Sequence, residues 1–148
     1  MNRFVDLLNQ ASALPISEQT AFLRQKAAQM LQANGFKFLT LEETTPEPSS
    51  QMRIGIAPYS RADLELLDEL AEEAVHGRLL PRINIDIFDV LSCQRMSDFD
   101  RYIPGITPVY QTPVVGIWEN EVLAKSASGA RARQLIQNQL ISTTEKVG

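Results

Sequence analysis

From Arg53 to Ile141 the spacing of apolar residues switches back and forth between a strand's period of two and a helix's period of about 3.6, and that succession admits few folds. Arg53 to Ile56 reads as a strand. Arg61 to Val75 sets Leu64, Leu67, Leu70, Ala71 and Ala74 on one face of a helix that should stop at His76-Gly77. Ile83 to Val90 alternates Ile83, Ile85 and Ile87 against Asn84 and Asp86, the pattern of a second strand. A short helix is expected from Gln94 to Tyr102. Val114 to Trp118 and Glu121 to Lys125 then flank Glu119-Asn120 as the arms of a hairpin would. The last helix, Ala130 to Ile141, carries Ala132, Leu135, Ile136 and Leu140, with a frayed tail from Ser142. Strand, helix, strand, helix, hairpin, helix describes an α/β fold.

Upstream, Arg3 to Ala11 places Phe4, Leu7, Leu8 and Ala11 at helical spacing, and Leu14-Pro15 interrupts it. Ser17 reads as the N-cap of a longer helix whose stripe of Leu23, Ala27, Met30 and Leu31 ends at Asn34-Gly35. Residues 1–35 therefore read as a helical extension. Phe36 to Leu41 is expected to be a strand. Glu42 to Gln51, acidic and rich in Pro, Ser and Thr, reads as a flexible surface loop. A chain of 148 residues fits one domain, 1–148, with its α/β core over 53–141.

Composition removes several classes of function. Net charge is −4 and the pI about 5.0, with no Lys/Arg run, so nucleic acid is not an expected partner. No apolar stretch reaches the roughly 20 residues that span a bilayer, and the N-terminus has no signal-peptide run, so no membrane partner and a cytoplasmic location are expected. Cys93 and His76 are each the sole residue of their type, which leaves no internal disulfide, no CxxC and no Cys or His metal cluster. No cofactor is expected.

The element order resembles the βαβ–ββα order of the thioredoxin superfamily. Thr112-Pro113-Val114-Val115-Gly116-Ile117-Trp118 resembles the stretch in which a cis-proline opens that family's fourth strand, and the distance from Pro113 to Gly129 is similar. Leu67-Asp68-Glu69-Leu70-Ala71 looks like the middle of the family's active-site helix. Counting back, Ala57-Pro58-Tyr59-Ser60 falls where the redox CxxC would lie and is similar to the CPYC of glutaredoxins with both sulfurs missing. The resemblance covers about Arg53 to Ile141 and implies a three-layer thioredoxin-like fold with a vacated redox site.

A methyl at Ala57 and a hydroxyl at Ser60 can neither attack a disulfide nor resolve one, so the resemblance implies no reductase activity. Ser60 has a structural use as N-cap of the following helix, with Asp63 three residues on as in a capping box. In the family, the backbone beside the cis-proline pairs with an extended peptide, so Thr112 and Pro113 join Ala57, Pro58, Tyr59 and Ser60 as candidate binding residues. Pro108 lies near enough that either proline could hold the family position. Cys93, just before a helix, is placed where a helix dipole lowers a thiol pKa, and also where a small buried hydrophobe would sit. Glu65, Asp68, Glu69, Glu72 and Glu73 form an acidic stripe that reads as a solvated face.

Three functions are compatible with these features. The first is a redox-inactive thioredoxin-like binding protein, an adaptor or assembly chaperone for a peptide or protein partner. The others are a single-cysteine thiol redox protein or sensor acting through Cys93, and a structural subunit docked through its N-terminal helices. An enzymatic activity is not expected from the first reading.

Overall fold

The order of elements is α1 (Asp6–Ser12), α2 (Ile16–Ala33), β1 (Lys37–Phe38), β2 (Met52–Ile56), α3 (Arg61–Val75), β3 (Ile85–Asp89), α4 (Met96–Tyr102), β4 (Val114–Glu119), β5 (Val122–Ser128) and α5 (Ala130–Glu145). The computed structural model describes residues 3–44, 51–75, 84–109 and 111–145. Most of the Glu42 to Gln51 segment, His76-Gly77, Ile83 and Tyr110 lie outside the described residues. The five strands form one mixed sheet in the order β1-β3-β2-β4-β5. β1 and β2 run parallel to β3, while β4 runs antiparallel to both β2 and β5.

Strand parity divides the core. Met52, Ile54 and Ile56 of β2, Ile85 and Ile87 of β3, and Val115 and Ile117 of β4 face a large cluster with Leu64, Leu67 and Leu70 of α3 and Ala132 and Ile136 of α5. The alternate residues Phe88 and Val114 face a smaller cluster with Tyr102 and Ile103 at the end of α4. Both faces of β2, β3 and most of β4 are buried. Gly55 lets β2 pass beneath the second cluster: a Cβ there would overlap the Phe88 ring and Val114 Cγ2. Phe88 in turn stacks on Tyr102, with centroids 3.9 Å apart and planes 4° from parallel.

Arg53 is the charged member of that second face. Its guanidinium lies 5.4 Å from the Trp118 ring centroid, donates to the Tyr102 carbonyl at 2.9 Å and stands 3.7 Å from Asp86 Oδ2. Burial pushes its pKa down against the raising influence of Asp86. Arg53 thereby ties the C-terminal end of α4 to the centre of the sheet.

Residues 1–35 were expected to be an extension, and their apolar stripe belongs to the main core: Phe4, Leu7, Ala11, Leu23, Ala27 and Leu31 all join the larger cluster. α1 begins at Asp6 rather than Arg3, because Phe4 and Val5 direct their N–H groups to Asp68 of α3 at 2.6 and 3.2 Å. α2 begins one residue before Ser17. Pro15 precedes it with φ −55° and ψ 146°, and no side chain caps it, so the turn into the helix comes from the proline ring. Arg24 pairs with the buried carboxylate of Asp89, joining α2 to the end of β3.

The acidic stripe of α3 is only partly a solvated face. Besides Asp68, Glu69 accepts from Arg133 at 3.2 Å and from Gln137 at 3.4 Å on α5. The hairpin turn sits at Asn120-Glu121, with φ 53° and 68°, one residue later than Glu119-Asn120. Two successive left-handed residues match the twist of the flanking strands, and Asn tolerates that conformation well. A bulge at Ile117/Trp118 lets β5 run on to Ser128.

Candidate functional site

The loop between β2 and α3 and the entrance to β4 meet at one end of the sheet, since Gly55 pairs with Val114. Ala57 and Pro58 are buried, Ser60 is half-buried, and Tyr59 between them is 58% exposed. A tight turn shapes the loop, with the Ser60 N–H donating to the Ala57 carbonyl at 2.9 Å. Opposite, Thr112 is half-buried and Pro113 buried, and both Thr112-Pro113 and Thr107-Pro108 are cis. Pro113 directly precedes β4, and its carbonyl accepts the Gly129 N–H at 2.8 Å. Pro108 is exposed and stands five residues before Pro113, so Pro113 is the proline at the strand entrance.

Ser60 does cap α3: its Oγ accepts the Asp63 N–H at 3.3 Å. The expected reciprocal bond takes another course. Asp63 Oδ2 reaches past Ser60 and accepts the Ala57 N–H at 2.8 Å. Its Oδ1 has no hydrogen-bond partner among the described residues, although the side chain is fully buried. Burial pushes the Asp63 pKa up, against the Ala57 N–H, the Thr112 and Ser60 hydroxyls and Arg133, all of which favour the charged form. Asp63 was legible only as a helix-capping residue, yet its carboxyl also closes the preceding loop at Ala57.

Cys93 is placed elsewhere. It follows a short turn of 3-10 helix, Val90–Ser92, and packs half-buried against the second cluster, three residues ahead of α4. The expected lowering of its pKa is reversed. Burial, with Asp98 and Asp89 nearby, pushes the thiol up to about 11 despite a hydrogen bond with Ser92. Asp98 itself accepts the Gln94 and Arg95 N–H groups at 2.9 and 3.1 Å, which holds its own pKa down. Asp98 in the first turn of α4 therefore sets a carboxylate near the thiol.

The site accordingly offers an exposed phenol, a strand entrance with main-chain groups and a fixed turn, and no thiol. No helix among the described residues is long and apolar enough to cross a membrane, and no group of three or more His, Cys, Asp or Glu among them could hold a metal ion. No family model matches the chain and neither does any curated protein, so the residues themselves carry the functional reading.

Proposed function

We propose that this chain is a redox-inactive, thioredoxin-like binding module, an adaptor or assembly chaperone that holds an extended segment of a protein partner between Tyr59 and Thr112-Pro113. The observation that carries the reading is the Asp63 carboxyl, which accepts the Ala57 N–H and holds the loop between β2 and α3, without any sulfur, at the same end of the sheet as the cis Thr112-Pro113 entrance to β4. The strand order β1-β3-β2-β4-β5, with β4 alone reversed, supports the thioredoxin-like part of the reading. Exposure of Tyr59 supports the binding part, because an aromatic side chain on a rigid turn is a typical anchor for a partner. The thiol pushed up to about 11 weighs against a sensor acting through Cys93. Burial of α1 and α2 in the main core weighs against those helices serving as a detached docking arm.

Selection of extended peptides from a displayed random library, followed by amide-shift mapping on isotope-labelled protein, tests the proposal. Binders should perturb Ala57 to Ser60 and Thr112 to Val114, and Tyr59→Ala should weaken them by roughly tenfold or more. Selected binders that leave those amides unmoved would refute it.

A further inference from the structure

Among the described residues β5 is the long free edge of the sheet. The opposite edge, β1, is only two residues long. The bond from Gly129 N to the Pro113 carbonyl fixes the ladder's parity, so Ala127 and Lys125 turn their backbone groups toward β4, whereas Ser126 and Ser128 turn theirs outward. The Trp118 N–H agrees, since it points the other way, to the Gln51 carbonyl on the β2 side at 2.9 Å. Among the described residues, Ser126 and Ser128 thus present unpaired donors and acceptors at the spacing of one added strand.

Beside that edge runs a groove of about 450 Å³, floored by Lys125 and Ala127 of β5 and walled by Arg131, Gln134, Leu135 and Asn138 on one stripe of α5. Its two charged residues are both cations in a chain of net charge −4, and none of the ion pairs among the described residues uses them. A second copy of the chain would bring a second Lys125 and Arg131 to the same edge. An acidic strand would meet only opposite charge.

We infer that the β5 edge and its groove form a second docking surface, distinct from the Tyr59 loop, for an extended acidic peptide of about five or six residues that adds a strand to the sheet. Its backbone pairs with Ser126 and Ser128. Its alternate side chains, carboxylates, lie in the groove against Lys125 and Arg131, with Gln134 and Asn138 available as amide donors.

The probe is a fluorescein-labelled hexapeptide of alternating glutamate and threonine, titrated by anisotropy and mapped by amide shifts. It is compared with its lysine/threonine counterpart and with the glutamate peptide N-methylated along its backbone. The glutamate peptide should bind, weaken as salt is raised, and shift amides of β5 and the Arg131 to Asn138 stripe. Lys125→Glu and Arg131→Glu should each weaken it at least about fivefold, and Lys125→Arg should not. Ser126→Pro removes only an outward N–H, so it should abolish binding with the circular dichroism spectrum unchanged, while Ser126→Ala has no effect. If that variant does not fold, the N-methylated peptide decides the same point by failing to bind. Equal binding of the lysine peptide, binding of the N-methylated peptide, shifts confined to Tyr59 and Thr112, or no binding at all would overturn the inference. So would a concentration-dependent dimer in sedimentation that excludes the peptide, since a second copy would then own the edge.

Discussion

Asp63 Oδ2 accepts the backbone N–H of Ala57 at 2.8 Å, so a side chain from the first turn of α3 closes the loop that precedes its own helix. Burial raises the folded-state pKa of this carboxyl above its unfolded value of about 3.9. Between the two values the native state holds the extra proton, so stability falls as pH rises through that window. Asp63→Asn mimics the protonated form and removes the effect. In urea titrations the stability of the wild type relative to Asp63→Asn should fall as pH rises from about 4 toward neutrality. A difference independent of pH would contradict the assignment. Asp63→Ala, which strands the Ala57 N–H, should cost about 1–3 kcal/mol across the range.

Cys93 should be a sluggish nucleophile. With the thiol pushed up to about 11, roughly one molecule in a thousand is ionised at pH 8. Alkylation by iodoacetamide should keep accelerating with pH beyond about 10, whereas a rate that levels off by about pH 10 would show an unshifted thiol.

Positions 57 and 60 are bridged by the Ser60 N to Ala57 O bond at 2.9 Å, which brings the two Cα atoms within a turn's span of under about 7 Å. Ala57→Cys with Ser60→Cys, in a Cys93→Ser background, should therefore form an intramolecular disulfide under mild oxidation. Thiol counting and mass measurement check this. Disulfides found only between chains would show that the turn does not hold in solution.

Phe4 is 1% exposed within the main cluster, and Phe4→Ala should cost about 3–5 kcal/mol in chemical denaturation. A loss below 1 kcal/mol would mean that α1 is not packed in solution as described.

Gly55→Ala should be destabilising by about 1–3 kcal/mol, because the added methyl has to displace the Phe88 ring or Val114. A neutral result, read in the same denaturation assay, would require the Phe88–Tyr102 stack to be mobile.

What was legible in the chain depended on how local each interaction is. α3 spans Arg61 to Val75 as its amphipathic stripe implies, and β4 begins at Val114 as its apolar run implies. β5 was read three residues short, since an exposed edge ending in Ser126-Ala127-Ser128 carries no apolar alternation. Asp63 and Asp68 defeated local reading for one shared reason. Each looks like an ordinary acid on a helix surface, and its role is set by N–H groups outside that helix: in the preceding loop for Asp63, at the start of the chain for Asp68. Of the two readings of Cys93, the small hydrophobe agrees with its packing against the second cluster, and burial with Asp98 nearby opposes the dipole.

The carboxylate of Asp68 has a further consequence for synthesis on the ribosome. α1 has seven residues, too few to persist alone, and no side-chain cap of its own. The N–H groups of Phe4 and Val5 are answered by a residue 64 and 63 positions downstream. α1 is made before α3, so the N–H groups of Phe4 and Val5 are not answered by Asp68 until α3 has followed. A pause in elongation before residue 68 would prolong the interval before those two contacts can form.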